Sequence, residues 1–427
     1  MSLIVKLGKK GKTLLKGVIA QPHAVRYTRR IERVCTDKRI CAMTFDDGPM
    51  ALPASPDKFG GKALTDILLD TLAEFGAKGT FDVIGTTAEN YPDKAGKIGT
   101  AAWGGVKYDH YPNIGQDANG GALACDRLIR RMLDEGHQIT NHGGRHILFG
   151  KKPFVYGRRK VLGSYGKVLD DLNLLHGLME KKYGYTMTMS RPAHYVDKIG
   201  DGFTSYDAYE AMGYQYLAAS YDGAGWLPST LADPEAALDA EIRAMTEPME
   251  KLLEEDPDAL CGQIIFQKDG YNMGVRTPVA WGLRKQLEIL QKYGYTVVTV
   301  AELLQESPFA DVGRDDPLFP ALRELAETRA VAYDDNTLRL DRVMTWGELA
   351  LLLCPREISL ERRRGRIREK GRAAPDWGAV DWCIEKRLLL PEQRADLPVT
   401  ALPEAYFDTP QDFTRRSVYT ALKKLLE

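Results

Sequence analysis

Ile40-Cys41-Ala42-Met43-Thr44-Phe45 is a mostly apolar run that Asp46-Asp47-Gly48-Pro49 stops abruptly with turn chemistry. The run reads as a buried strand, so two adjacent carboxylates fall at its C-terminal end. In a barrel of alternating strands and helices that rim collects catalytic groups, which makes the pair a site candidate. Turn residues also gather at such junctions without any function, and a solvated acidic turn is the plainer alternative. The rest of the chain has to decide between the two.

Downstream, residues 63–75 carry apolar side chains at helical spacing (Leu64, Ile67, Leu68, Leu72, Phe75), Gly76 closes that helix, and residues 79–84 form a second short strand. Residues 86–121, rich in Gly, Asn, Asp and Pro, read as a long excursion, either a substrate-facing loop or a surface loop without that role. Helix 123–135 and strand 137–141 follow, and the strand runs into His142-Gly143-Gly144-Arg145-His146. The alternation continues with helix 161–183, strand 187–191, helix 206–212, strand 216–219, helix 231–253, strand 263–266, helix 277–293 and strand 296–300. Strands alternating with helices imply right-handed crossovers and a parallel sheet, so the α/β class and a distorted (β/α)7 barrel are expected.

The alternation ends near Ser307-Pro308, and two related helical units follow. Residues 321–327 resemble 379–385, and Met344-Thr345-Trp346-Gly347-Glu348 recurs loosely as Phe413-Thr414-Arg415-Arg416-Ser417, a degenerate helix-loop-helix repeat. The expected organisation is an N-terminal extension (1–37), a barrel (38–305) and a small all-α repeat domain (306–427). The basic run from Arg356 to Arg372 between the units reads as a solvated helix or linker.

Composition narrows the function. The chain has 427 residues, and 58 Lys plus Arg nearly balance 59 Asp plus Glu, which argues against a general attraction to nucleic acid or anionic membranes. Six scattered cysteines, Cys35, Cys41, Cys125, Cys261, Cys354 and Cys383, contain no CxxC pair and suggest neither a zinc knuckle nor a dense disulfide framework. Cys35 and Cys41 could pair, but nothing requires it. Lysines at 6, 9, 10, 12 and 16 interrupt any apolar run long enough for a signal peptide, and no segment approaches the ~20 apolar residues of a membrane span, so the chain reads as soluble.

His142 and His146 stand four apart at a strand end. If the chain turns helically there, both imidazoles can reach one metal, although an HxxxH pair alone is more often two ordinary surface histidines. Position strengthens the case, because both histidines and Asp46-Asp47 fall at C-terminal strand ends of one inferred barrel. Two imidazoles and one carboxylate leave coordination positions open for water and substrate, and the second carboxylate is free to act as a base. Arg191 ends the fourth strand and could hold that base ionised, while Asp222 and Trp226 follow the fifth.

With these residues in view, residues 38–305 resemble the polysaccharide deacetylases with the NodB homology domain, carbohydrate esterase family 4. Thr44-Phe45-Asp46-Asp47-Gly48-Pro49 matches the first family motif throughout, and His142-Gly-Gly-Arg-His146 fits the second. The resemblance implies that Asp46 is the catalytic base and that Asp47, His142 and His146 ligate a divalent metal, commonly zinc. Arg191-Pro192-Ala193-His194-Tyr195 resembles the third motif, whose Arg orients the base. Asp222-Gly-Ala-Gly-Trp226 resembles the fourth, with its second Asp replaced by Gly225. Tyr195, Trp226 and Gln267 are the residues expected against the sugar. The fifth motif, Leu-x-His, is matched against Ile265-Phe266-Gln267, so the histidine that protonates the leaving amine is replaced by an amide that cannot serve as an acid. No histidine follows His194 in the chain, which leaves His194 and Lys268 as substitutes, with His194 preferred.

The C-terminal units resemble S-layer homology repeats, which hold proteins on cell-wall polysaccharide. Phe309-Ala-Asp311-Val312 and Met344-Thr345-Trp346-Gly347-Glu348 carry the resemblance, with Trp346 in place of the signature Arg. The expected activity is metal-dependent removal of N-acetyl groups from a polysaccharide or peptidoglycan, weakened at Gln267. The alternatives are a carbohydrate-binding protein that retains the metal site, and a barrel serving only as a platform for the repeats. The resemblance points to the cell envelope or exterior, yet no signal peptide is visible, and a cytoplasmic location stays open.

Overall fold

A computed structural model describes residues 27–54, 58–86, 120–151, 161–272, 276–328, 336–374, 376–399 and 413–426. The chain divides into two compact units, one made chiefly of residues 36–305 and the other chiefly of 306–427. The excursion expected at 86–121 lies almost wholly outside the described residues, as does most of the N-terminal extension.

The first unit is built on parallel strands: β1 (Ile40–Asp46), β2 (Thr80–Val83), β3 (Gln138–Asn141), β4 (Met189–Ser190), β5 (Gln215–Leu217), β6 (Tyr221–Asp222), β7 (Ile264–Lys268) and β8 (Thr296–Val298). Its helices are α1 (Leu64–Glu74), α2 (Asp126–Asp134), α3 (Tyr165–Tyr183), α4 (Ser205–Met212), α5 (Pro234–Glu255), α6 (Val279–Lys292) and the single turn α7 (Val300–Leu303). Strands lie in the order β5-β4-β3-β2-β1-β7-β6, and β8 pairs with the first half of β1. β1 is central and buried along nearly its whole length, which is why it reads as a continuous apolar run without alternation.

The expected fifth strand, 216–219, is split. Among the strands of this unit β5 and β6 are outermost on opposite sides, yet only residues 218–220 separate them, a span of at most ~14 Å. The two ends must therefore curl round toward each other, giving an incomplete barrel with a seam at 218–220. Arg191 is fixed at this seam, its guanidinium donating to the carbonyls of Leu217 (3.3 Å) and Ala218 (3.2 Å). Local signals set the helix ends. Asp233 caps α5 by accepting from the Ala236 N–H (2.7 Å) with Pro234 in the first turn, and Gly184 and Gly213 end α3 and α4 in left-handed conformations.

The second unit contains α8 (Phe319–Thr328), α9 (Trp346–Leu353), α10 (Arg356–Lys370), α11 (Trp377–Glu385) and α12 (Arg415–Leu426). The paired stretches noted in the sequence fall on α8 with α11 and on α9 with α12. Phe309, Leu322, Leu338, Met344, Leu349, Ala379, Cys383 and Val418 share one apolar core. The basic run is helix α10, and Arg362 on it pairs with Asp381 (2.8 Å) and Glu385 (2.6 Å) on α11. Antiparallel bridges Val343↔Thr414 and Thr345↔Pro398 tie the segments before the helices together.

Glu348 joins the two stretches. One of its oxygens accepts from the Thr345 N–H (3.0 Å) in a capping box, and the other accepts from Arg415 (2.7 Å). Arg415 also donates to the Leu338 carbonyl (2.6 Å), and both charged side chains are buried. Removing one partner of a buried, hydrogen-bonded pair strands the other charge. Arg415→Ala should therefore lower the unfolding free energy of this unit by ~3–5 kcal/mol, measured by denaturant unfolding. Arg416→Ala, next to it in an exposed pair with Asp316, should be nearly neutral.

Candidate active site

Parallel pairing fixes which side chains meet. Asp46 is in register with Asp82 on β2 and with Lys268 on β7, and Thr44 with Phe266, so these residues share the barrel-interior face. Phe45 and Gln267, one step along, turn toward the helices. Asp47 follows directly, with its backbone in the left-handed region at φ 79°. That turn brings its carboxylate over the histidines. Gly48 comes next for want of space, since a Cβ there would stand 2.0 Å from Asp269 Oδ2.

Asp46, Asp47, His142, His146 and Arg191 come together as the sequence suggested, all of them buried. Asp47 Oδ1 lies 3.3 Å from His142 Nε2 and 3.0 Å from His146 Nε2, and the three donors fall within 4.8 Å of one another. Ligands ~2.0–2.1 Å from a tetrahedral ion stand ~3.4 Å apart, so the residues present fit one small divalent cation. His146 reaches this arrangement with its own backbone at φ 52°. A regular helical turn is not what places the pair.

Arg191 donates to Asp46 Oδ1 and to Thr44 Oγ1 (3.1 Å), and its guanidinium carbon stands 5.6 Å from the Tyr195 ring centroid and 5.5 Å from that of Phe266. The ion pair was expected to hold Asp46 ionised. Burial outweighs the opposing pull of Arg191 and His142, and the Asp46 carboxyl is pushed up to about 7.

Two groups were missed by sequence reasoning. Asp82 is wholly buried, its Oδ1 accepts from Thr140 (2.6 Å) and its Oδ2 lies 2.9 Å from His142 Nδ1, which also contacts the Arg191 carbonyl at 2.8 Å. Burial disfavours a charged His142, but the carboxylates of Asp82, Asp46 and Asp47 outweigh it and hold the ring well above the ordinary histidine range. A carboxylate behind a ligating imidazole fixes the tautomer that presents Nε2 to a metal. An ionisable residue between Phe81 and Val83 in a buried strand was the available signal. Asp82→Asn should therefore weaken binding of a divalent cation at this site ~10–100-fold in a chelator competition. Asp269 is the second group. Its N–H donates to the Asp46 carbonyl (2.7 Å), its carboxyl accepts from Thr65 (2.8 Å), and burial pushes it up to about 8.

Lys268, named beside His194 as a substitute acid, brings its Nζ to 2.5 Å from Asp47 Oδ2. Gln267 is the residue that points away: its amide donates to the Gly223 carbonyl (3.1 Å) and to Gln286 Oε1 (2.6 Å), and Gln286 in turn donates to the Met245 carbonyl (2.8 Å) among the helices. Gln267 is thus neither against substrate nor in the place of an acid. Strand alternation puts Phe266-Gln267-Lys268, rather than Ile265-Phe266-Gln267, where Leu-x-His was sought. Gly225, where the fourth motif loses its Asp, has Gln267 beside it, and a Cβ there would lie 2.6 Å from Gln267 Oε1. Gln267→His should not raise activity, and a gain in acetate release would show that side chain reaching the cleft.

His194 is half-buried with its ring 5.6 Å from that of His146. Burial and the neighbouring His146 hold it well below the ordinary histidine range, so it is a poorer proton donor than expected. Asp222 is in register with Phe266 and accepts from Trp226 Nε1 (3.2 Å) and the Ala224 N–H (2.9 Å), so it orients Trp226 at the neighbouring strand end. Of the backbone N–H groups after Arg191, Pro192 has none and that of Tyr195 donates to the Pro192 carbonyl (2.9 Å).

Residues 33–195 match the family described as polysaccharide deacetylase. The peptidoglycan-N-acetylglucosamine deacetylase of Bacillus cereus is 23% identical over 272 residues, covering 64% of this chain and 91% of that protein. The peptidoglycan-N-acetylmuramic acid deacetylase PdaC of Bacillus subtilis is 24% identical over 172 residues, 40% of this chain, and the match spans only 25% of PdaC. Among solved structures, the chitin deacetylase from Colletotrichum lindemuthianum is similar with a TM-score of 0.43 and 19% identity, over 65% of this chain and 92% of that one. Residues 33–195 are thus similar to the polysaccharide deacetylases, hydrolases that act on non-peptide carbon–nitrogen bonds.

Proposed function

We propose that this protein removes N-acetyl groups from an N-acetylated polysaccharide of the chitin or peptidoglycan type, at a site that holds one divalent cation, zinc being the best fit to two imidazoles and a carboxylate. The observation that carries this reading is the convergence of Asp47 Oδ1, His142 Nε2 and His146 Nε2 beside the Asp46–Arg191 pair. A cation held by those three residues would supply Lewis-acid polarisation of the acetamide carbonyl and of the attacking water.

Asp46 accepts the proton from that water. A carboxyl raised to about 7 is matched to this task near neutral pH, where it can take the proton and later return it. Arg191, fixed by Thr44 and the seam carbonyls, holds Asp46 in place. The leaving amine needs a proton, and among the described residues Lys268, facing the cleft, is the group best placed to give it. Tyr195 and Trp226 are the aromatic surfaces offered to the sugar ring.

The C-terminal helices we read as two diverged S-layer-homology-type repeats that hold the protein on a cell-wall polymer, which places its work at the envelope. Support comes from the correspondence of α8 with α11 and α9 with α12. The functional reading is tested by acetate release from chito-oligosaccharides and from peptidoglycan. Release from either supports it, while sugar binding without release from both would favour a carbohydrate-binding protein.

A further inference from the structure

Lys268 ends β7, and the pairing Asp46↔Lys268 turns its side chain to the face that carries the base. It is buried, and its Nζ meets Asp47 Oδ2 at 2.5 Å. The other oxygen of the same carboxylate, Oδ1, is the one that faces His142 Nε2 and His146 Nε2. Asp47 is therefore divided, with one oxygen toward the histidines and one toward an ammonium. Its left-handed backbone further limits how the carboxylate can swing.

We propose that Lys268 is an internal competitor for the cation site, restricting Asp47 to single-oxygen ligation and lowering the site's affinity for divalent cations. The proposal rests on the metal-site reading above. An ion held by Asp47, His142 and His146 would stand within a few ångströms of the Lys268 ammonium, and like charges repel strongly where water is scarce. Without the ion, Lys268 gives the buried Asp47 a partner, so the empty site does not leave a carboxylate uncompensated. A compact ammonium suits this role because it delivers charge without the fork that would clamp both oxygens. The consequence is a site that exchanges its ion and a fold that tolerates losing it.

The experiment uses the full chain and Zn²⁺ in competition with a chromophoric chelator, for wild type, Lys268→Met, Lys268→Gln and Lys268→Arg. Both neutral variants should bind zinc ~10-fold or more tightly than wild type, while Lys268→Arg should not gain affinity. A second readout is thermal unfolding. The zinc-free neutral variants should melt below wild type, and zinc should raise their melting temperatures by more than it raises that of wild type. If Lys268→Met fails to fold, Lys268→Gln carries the comparison. Unchanged or weaker zinc affinity in the neutral variants, with wild type still binding zinc, would overturn the role of Lys268 and leave the metal site standing. No zinc uptake by wild type or any variant would overturn the metal site and this proposal together.

Discussion

Asp46→Asn should reduce acetate release by ~10²–10⁴-fold while zinc content stays at the wild-type level. The amide is nearly the shape of the carboxyl but cannot accept a proton from water. Asp46 is not one of the three cation donors, since its nearest approach to His142 Nε2 is 3.8 Å, against 3.3 Å for Asp47. Rate and metal content should therefore separate. The substitution also leaves the buried Arg191 without its countercharge, although Thr44 and the carbonyls of Leu217 and Ala218 still hold the guanidinium. A lowered melting temperature is expected alongside the lost rate. If Asp46→Asn released acetate at the wild-type rate, the base would have to be sought elsewhere, among the other buried carboxyls Asp82 and Asp269.

His142→Ala should act differently, by emptying the site. Four-ligand zinc sites bind with apparent free energies of ~10–16 kcal/mol, so one ligand is worth roughly 3–4 kcal/mol, or ~10²–10³ in affinity. Activity at low zinc should fall by at least that factor and recover in part when zinc is raised. The same variant frees Asp82 from its imidazole, leaving a wholly buried carboxylate that still accepts from Thr140 but has lost its ring partner, so the apo protein should lose stability as well. Metal content indistinguishable from wild type in His142→Ala would remove His142 from the ligand set.

Much of this site was legible in the sequence because its residues lie at strand ends in short, distinctive runs. Asp46 and Asp47 close an apolar strand, His142 and His146 close another, and Arg191 a third. The alternation of strands and helices made a barrel the natural reading. What the sequence did not reveal depends on register and on turns. Gln267 was taken for the cleft-facing position because nothing in the run Ile264 to Lys268 marks which residues face inward when both faces of the strand are buried. The pairing of Phe45 with Gln267 and of Asp46 with Lys268 decides it, and those are long-range contacts. Asp82 escaped notice because it sits in mid-strand, away from any rim. The split of the fifth strand at residues 218–220 was invisible for a related reason: a seam that closes a barrel is set by geometry around the whole sheet.

The central claim is that one cation at Asp47, His142 and His146 serves the hydrolysis of an acetamide. Its most direct test is acetate release from an N-acetylated chito-oligosaccharide or peptidoglycan by chelator-stripped protein, titrated with Zn²⁺. The account predicts no release from the stripped protein, a rise that saturates at one equivalent of zinc in wild type, and no such rise at one equivalent in His142→Ala. Release that persists after complete metal removal, or that rises equally in His142→Ala, would contradict it.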